Sequence, residues 1–225
     1  MLNLDKIINL GIKKVIDRGT AIVLEETEDS IFVRDRISDA FMIAAGDVEL
    51  GKEWLYKHEQ NGYSLVTLFD KSLACYVMQR YGLEIKLDCF QAAYQKKELP
   101  TRRIDMKMKA ATFEDLSMIM QNYEWISKDE MKEIINRQNL FLGLVDNKPV
   151  GFVGEHLEGS MGILYVYPEF RENGYGSELE KMMIIRTLEQ GYTPFCQIEI
   201  NNKNSLKLQR KLGLNISDEH VYWLF

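Results

Sequence analysis

Cysteine and histidine are scarce in this chain of 225 residues, and neither residue type forms a recognisable cluster. The three cysteines (Cys75, Cys89 and Cys196) are odd in number and lie far apart in the sequence, so a disulfide framework is not expected. Buried thiols in a reducing cytoplasm are the simpler interpretation. The three histidines match no zinc-binding spacing, and we expect no metal site.

Long apolar runs and an excess of positive charge are also missing. No apolar run approaches the length of a membrane span. Residues 2–18 mix charged and apolar positions at helical spacing, which predicts an amphipathic helix and not a signal peptide. The formal net charge of −6 argues against bulk attraction to nucleic acid or to an anionic membrane, so neither is an expected partner. A homodimer remains open.

The apolar fraction of 46% can supply a sizeable core, and one polar segment divides the chain. Residues 95–103 are charged and broken by proline, which predicts a linker between two domains, 1–99 and 100–225. Beyond it, periodicity and turn residues predict the order β-α-α-β-β-β-α-β-α-β, an α/β fold. The predicted strands are 104–109, 140–145, 150–156, 162–166, 195–200 and 220–225, and the predicted helices are 112–123, 127–137, 177–190 and 205–212.

The most informative segment is residues 171–176, Arg-Glu-Asn-Gly-Tyr-Gly, which joins a predicted strand to the helix expected from Ser177. Its glycines allow positive φ and a close approach of the backbone to a ligand. The backbone N–H groups and the positive end of the helix dipole would face an anion, and Arg171 would add charge-assisted hydrogen bonds. A dinucleotide fingerprint would need glycine at Leu179, and a phosphate-loop NTPase would need Gly-Lys-Ser/Thr after Gly176. The segment therefore predicts a pyrophosphate site of another kind.

This segment resembles the acyl-CoA pyrophosphate loop of the GNAT N-acetyltransferase superfamily. Residues 162–170 resemble the family's fourth strand and its V-x-P-x-x-R entry, and residues 202–214 resemble its N-x-x-S-x-x-L-x-x-x-x-G-F segment. The resemblance covers residues 104–225. It implies a mixed central sheet flanked by helices, with splayed central strands in the C-terminal half. The branch that includes glycine N-acyltransferase-like enzymes is the most similar.

The first hundred residues echo the second part of the chain. Residues 54–69 mirror 180–200, and residues 71–83 mirror 204–214, which predicts two tandem GNAT-like domains with a degenerate first copy. At the pyrophosphate position this copy offers only residues 46–51, with two acids and no arginine. Acyl-CoA binding is therefore expected in the second half only. Two unrelated α/β segments remain the alternative.

The resemblance also implies a set of coenzyme-binding residues. The backbone of the fourth strand would pair with the pantetheine arm, the loop N–H groups would hold the pyrophosphate, and two polar residues would contact the coenzyme from the other wall. These residues are Leu164, Tyr165 and Val166 in the strand, Arg171, Glu172, Asn173, Gly174, Tyr175, Gly176 and Ser177 in the loop, and Asn202 and Ser205 on the other wall. Helix capping is the alternative role for Asn202 and Ser205.

The implied reaction is direct attack of a primary amine, on a small molecule or amino acid, on the thioester of acetyl-CoA or another short acyl-CoA. Glu155 is the candidate base, with a solvated or salt-bridged strand-end carboxylate as the alternative role. In a regular strand His156 would face the opposite side, so the two cannot both face the site. Gln209 stands where many members have a tyrosine acid; it cannot deliver a proton but can donate a hydrogen bond to the departing thiolate. A non-catalytic acyl-CoA-binding module and a nucleotide-binding or redox domain remain alternatives.

Overall fold

The computed structural model describes residues 2–225, and for Asn61 it describes the backbone only. The chain divides into two compact units. Unit 1 comprises the residues up to Ala93, together with Gln197–Lys207 and Asn215–Phe225. Unit 2 comprises Tyr94–Cys196 and Leu208–Leu214. Among the residues described, no helix combines the length and the apolar character that crossing a membrane requires.

The secondary structure alternates between strands and helices along the whole chain. The strands are β1 (Ala21–Glu26), β2 (Ile31–Asp35), β3 (Phe41–Ala44), β4 (Val66–Leu68), β5 (Ile85–Ala93), β6 (Lys107–Ala110), β7 (Leu140–Val145), β8 (Lys148–Glu155), β9 (Met161–Val166), β10 (Phe195–Glu199) and β11 (Asn215–Leu224). The helices are α1 (Leu10–Asp17), α2 (Val48–Lys57), α3 (Lys71–Tyr81), α4 (Leu116–Met120), α5 (Lys128–Asn136), α6 (Tyr175–Glu189) and α7 (Lys203–Leu212). The predicted mixed α/β fold is confirmed.

Unit 1 holds its strands in the order β1-β2-β3-β4-β11-β5, antiparallel except for β3 beside β4. Side chains alternate between the two faces of the sheet. Phe32 packs in a core with α2 and α3, and its neighbour Val33 packs in a second core with α1. The last strand follows the same alternation, with Tyr222 in the first core and Trp223 in the second.

The predicted division into domains 1–99 and 100–225 stays a prediction. The break between the units at Ala93 and Tyr94 lies near the predicted linker. The final strand, expected in the second domain, clusters with unit 1 and begins at Asn215, earlier than predicted. The internal duplication also stays a prediction.

Unit 2 holds its strands in the order β9-β8-β7-β6, all antiparallel, and Cys196 at the start of β10 pairs in parallel with Met161 of β9. Helices α4 and α5 bury their apolar residues against one face, which includes Phe152. Helix α6 covers the other face. Gly143 leaves room there for Leu179, because a Cβ added at Gly143 would lie 2.6 Å from Leu179 Cδ2. This arrangement puts both ends of α6 beside the sheet.

Two elements of unit 2 are shorter than the sequence predicts. The strand expected at 104–109 is reduced to β6, because Arg102 Nη2 donates to the carbonyls of Ile104 and Met106. The helix expected at 112–123 is reduced to α4, because the Asp115 carboxylate accepts from the backbone and hydroxyl of Thr112 and forms a turn there. Both corrections arise from side chains that bind backbone groups locally.

Candidate functional site

Strand β9 carries a β-bulge at its centre. The β8–β9 register shifts so that Ile163 and Leu164 both lie opposite Val153. Ile163 has a φ of 50°, a conformation that a β-branched residue rarely adopts. The Tyr123 hydroxyl forms a hydrogen bond with the backbone of Ile163, and burial raises the pKa of Tyr123 to about 12. A strained backbone held by neighbouring groups is typical of functional sites.

The outer edge of β9 is open beyond its first residue. The pairing described between β9 and β10 is limited to Met161 and Cys196. Because the N–H of Tyr167 donates to the carbonyl of Val150, alternation directs the backbone of Val166 away from β8. The same alternation directs Leu164 outward and Tyr165 towards β8. Leu164 can therefore offer its N–H and C=O groups to a ligand and Val166 its N–H group, since the carbonyl of Val166 accepts from Arg171 Nε. The expected backbone role of Tyr165 does not fit this geometry.

The loop after β9 leads into the N-terminus of α6, which no side chain of the described chain caps. Gly174 precedes α6 with a φ of 82°, and Glu172 has a φ of 64°. The first α-helical bond runs from the N–H of Glu178 to the carbonyl of Gly174, so the preceding N–H groups have no acceptor within the helix. Successive residues with left- and right-handed backbones direct N–H groups to one side and form an anion-binding concavity.

The remaining loop residues shape this turn. Asn173 Nδ2 donates to the carbonyls of Phe170 and Arg171, at 3.3 and 2.9 Å. Arg171 is exposed, and its Nε donates to the carbonyl of Val166 at 3.1 Å. The helix begins at Tyr175, earlier than the predicted Ser177, so Gly176 is helical and only Gly174 needs positive φ. The structure thus brings the whole predicted loop together beside the open edge of β9.

A cleft of about 620 Å³ lies beside this loop within unit 2. Asn173, Gly174 and Ser177 line one side of it. Four cationic residues also line it, namely Lys96, Arg103, Lys181 and Lys211, together with the acidic Glu178. The segment predicted as a linker, 95–103, thus forms part of the wall. The sequence analysis missed these cations, although the pairs Lys96-Lys97 and Arg102-Arg103 carried the signal.

Glu178 explains why the linker segment lies against α6. Its buried carboxylate accepts from Arg102 Nε at 3.0 Å and from the backbone N–H of Arg103 at 3.2 Å. Lys181 Nζ lies 3.5 Å from the same carboxylate and donates to the carbonyl of Thr101 at 2.8 Å. Arg102 is the arginine whose side chain pairs with this carboxylate. Arg103 lines the cleft together with Lys96, Lys181 and Lys211.

Comparisons with known proteins agree with this geometry. Residues 141–224 match the family model described as FR47-like protein. A Drosophila protein structure is similar over 100% of this chain and 90% of its own, with a TM-score of 0.69 and 14% identity. A GCN5-related N-acetyltransferase from Kribbella flavida is similar over 100% and 95% of the two chains, with a TM-score of 0.62 and 13% identity. This is the GNAT fold.

A GNAT-family acetyltransferase from Colwellia psychrerythraea gives the same result, with a TM-score of 0.54, 14% identity, and coverage of 100% of this chain and 98% of its own. A comparison with curated proteins gave no match. Identities this low show the fold alone. The GNAT fold that the sequence resemblance implied is confirmed.

The predicted base lies beneath a helix. Glu155 is 5% exposed, and its Oε1 accepts from the Thr187 hydroxyl of α6 at 3.1 Å. This contact gives Glu155 a packing role on the α6 face of the sheet. Its role as base stays a prediction, and the geometry favours the alternative of a partnered structural carboxylate over an open acceptor site.

A different group of titratable residues lies on the α5 side, next to the bulge. The His156 imidazole lies against Gly162, since a Cβ there would be 2.6 Å from His156 Nε2. Ser160 donates to the buried Glu158 carboxylate. Burial raises the pKa of Glu130, an effect that Glu158 strengthens and His156 opposes. Only the alternation of faces between residues 155 and 156 hinted at this group in the sequence.

Gln209 is buried away from solvent. It is 3% exposed, and its Nε2 donates to Glu180 Oε1 of α6 at 2.9 Å. Burial raises the pKa of Glu180 to about 7. The predicted hydrogen bond from Gln209 to a thiolate would need this amide to leave its partner, so the expectation does not fit the observed geometry.

Asn202 and Ser205 lie in unit 1 at the start of α7. Asn202 Oδ1 accepts from the backbone N–H of Ser205 at 3.0 Å, which is the geometry of a helix cap. The capping alternative is therefore present for Asn202. Contact of either residue with a coenzyme stays a prediction.

Proposed function

We propose that unit 2 binds acetyl-CoA or another short acyl-CoA and transfers the acyl group to a primary amine by direct attack. The observation that carries this proposal is the N-terminus of α6, which no side chain of the described chain caps and which lines a cleft together with four cationic residues. Such a helix start is a ready anion site. The acceptor would be an amino acid or small amine, by analogy with the glycine N-acyltransferase-like branch.

The coenzyme would run from the cleft along β9. The N–H groups of residues 174–177 would hold the pyrophosphate, and Arg171 would add a charge-assisted contact. The outward N–H of Val166 and carbonyl of Leu164 would pair with the pantetheine amides as an added strand does. This path ends at the bulge, where the outward N–H of Leu164 would stabilise the oxyanion of the tetrahedral intermediate.

The proton transfers would use groups on the α5 side. An aliphatic amine has a pKa near ~10.4, so a base must accept a proton before or during attack. Imidazole is the usual base near neutral pH, and His156 lies beside the bulge. The thiolate that leaves has a pKa near ~8.5 and needs little help. Tyr123, whose hydroxyl is bound at the bulge, is better placed than Gln209 to protonate it.

Calorimetric titration with acetyl-CoA tests the binding step. We expect saturable binding that Arg171→Ala weakens and that Lys132→Ala, an exposed lysine on α5, leaves unchanged. Thiol release from acetyl-CoA in the presence of an amine panel, repeated with longer acyl chains, tests the transfer. Heat protection by NAD or ATP without protection by coenzyme A would instead indicate a nucleotide-binding or redox domain.

A non-catalytic acyl-CoA-binding module is the second candidate. The observation that favours it is the hydrogen bond between Gln209 and Glu180, which occupies the side chain at the usual position of the acid. Tight binding of acetyl-CoA without thiol release for any amine would support the module. Release that depends on the amine would exclude it.

A further inference from the structure

Glu180 and Gln209 form a buried polar pair with two unsatisfied atoms. The two residues are 2% and 3% exposed, and one hydrogen bond joins Gln209 Nε2 to Glu180 Oε1 at 2.9 Å. The other atoms of the two groups, Glu180 Oε2 and Gln209 Oε1, are fully buried and make no hydrogen bond within the described chain. Buried polar atoms without partners are rare in folded proteins and need an explanation.

An ionised Glu180 leaves the problem unsolved. Both unsatisfied atoms are then acceptors, and neither can donate to the other. The negative charge would also be buried without a cation, which is costly. Rotating the Gln209 amide by half a turn would only place its oxygen against Glu180 Oε1 and lose the existing bond.

One proton satisfies both atoms. A carboxylic acid has one O–H donor and one carbonyl acceptor, and a primary amide has the complementary set. With the proton on Oε2, Glu180 can donate to Gln209 Oε1 while Gln209 Nε2 donates to Glu180 Oε1. The result is a neutral ring closed by two hydrogen bonds.

We propose that Glu180 is protonated in the folded protein at pH 6 and forms this acid–amide ring with Gln209. The ring joins α6 to the C-terminal part of α7, where Lys211 and Leu212 line the cleft. Glu180 is thereby a positioning residue for the cleft wall, a role that rests on the proposed coenzyme site. Gln209 is its anchor and not a donor to the thiolate.

The surroundings of Glu180 agree with this assignment. Burial raises the pKa of Glu180 to about 7, the hydrogen bond from Gln209 opposes the shift, and no charged group contributes. The charged residues close in sequence to Glu180 and Gln209 have other partners or are exposed. Glu178 is paired with Arg102 and Lys181, and Arg210 and Lys211 of α7 are exposed. Nothing among these groups supplies a cation to an ionised Glu180.

The pH dependence of stability has a defined sign. A carboxyl whose pKa is raised in the folded state binds more protons folded than unfolded between its ordinary value, about 4.5, and about 7. Stability from this group is therefore greatest at low pH and falls as pH rises through that window. We expect the unfolding temperature of the wild type, relative to that of Glu180→Gln, to fall between pH 5 and pH 8.

Glu180→Gln is the matched variant, because an amide pair closes the same ring without a titrating proton. Infrared difference spectra of the full chain at pH 6 should show a protonated carboxylic acid band in the wild type that Glu180→Gln lacks. The exchanged double variant, Glu180→Gln with Gln209→Glu, should restore both the band and the pH-dependent stability. Absence of the band, or a stability difference that does not change with pH, would overturn the proposal.

The positioning role has its own readout. Calorimetry with acetyl-CoA should show wild-type affinity falling about threefold or more relative to Glu180→Gln as pH rises from 6 to 8, since the ring is lost on ionisation. A ratio that stays constant would refute positioning. If no variant binds acetyl-CoA at any pH, the proposed function fails, whereas the infrared and stability results still decide the protonation of Glu180.

Discussion

The two units each contain a passage from a strand through a glycine-containing turn into a helix, and the two helix starts differ in what fills them. In unit 1, Asp47 caps α2, and its carboxylate accepts from the N–H of Glu49 at 2.6 Å. In unit 2, Gly174 occupies the cap position of α6, no side chain fills it, and cations line the adjacent cleft. A carboxylate satisfies one helix start internally, whereas the described chain supplies no such group at the other.

This difference teaches that similar topology does not carry the binding function. A negative side chain at a helix start stabilises the helix and competes with any anionic ligand. Gly174 gives up that stabilisation and keeps the donors available. The expectation that acyl-CoA binds only in the second half of the chain therefore has a physical basis in the charge at each helix start.

The strongest way to break the comparison is to give unit 2 the carboxylate of unit 1. Arg171→Ala with Gly174→Asp should weaken acetyl-CoA binding on the order of 100- to 1,000-fold, because a charged contact is lost and a like charge is added. Isothermal calorimetry measures the change, with circular dichroism to confirm folding. Unchanged affinity would show that this loop is not the pyrophosphate site.

The chemistry should depend on the α5 side of unit 2. His156→Ala should lower kcat about 100-fold with little effect on acetyl-CoA affinity, the range expected for loss of a general base. Glu155→Gln should mainly lower the unfolding temperature, because its carboxylate packs with Thr187 beneath α6. Rates of thiol release measured across pH distinguish the two. A larger loss of kcat in Glu155→Gln, greatest at low pH, would restore Glu155 as the base.

The cations of the cleft sharpen the comparison further. Lys96→Ala and Lys211→Ala should each weaken coenzyme A binding roughly tenfold, and less so at high salt, because the ligand is polyanionic. The double variant should also lose preference for coenzyme A over its 3′-dephospho form. Lys132→Ala provides the control for removal of an exposed lysine in unit 2. If the wild type and the double variant discriminate equally between coenzyme A and its 3′-dephospho form, these lysines do not recognise the 3′-phosphate.

The smallest effect is expected from removing the cap of α2 in unit 1. Asp47→Ala should cost about 1 kcal/mol of stability and lower the unfolding temperature by roughly 2–4 °C, the usual effect of losing a cap. Affinity for acetyl-CoA should not change. Thermal unfolding followed by circular dichroism measures the first effect and calorimetry the second. New coenzyme binding by this variant would mean that Asp47 alone blocks a competent site.

Much of unit 2 could be predicted from the sequence because its signals are local. The positive φ of Gly174 follows from the glycine, and the cap at Ser127 and the start of α5 follow from short-range hydrogen bonds. Alternation predicted that Glu155 and His156 face opposite sides of the sheet. It could not say which side α6 would cover, since that depends on packing between distant segments.

The cleft wall and the last strand show where the sequence was insufficient. The charges of residues 95–103 are typical of a solvated linker, but the buried Glu178 and Lys181 of α6 hold the segment in place. The strand β11 follows α7 in the sequence but pairs with β4 and β5. Neither partner could be inferred from local pattern, because both contacts join residues far apart in the chain.

The location of β11 has a consequence for biosynthesis. Val221 and Leu224 are almost fully buried in the two cores of unit 1, whose other strands are made near the start of translation. Unit 1 cannot complete its sheet until residues 215–225 have left the ribosome, so its early strands must wait while the intervening segment is synthesised. During that interval β4 and β5 lack the strand that lies between them, and unpaired strand edges favour aggregation.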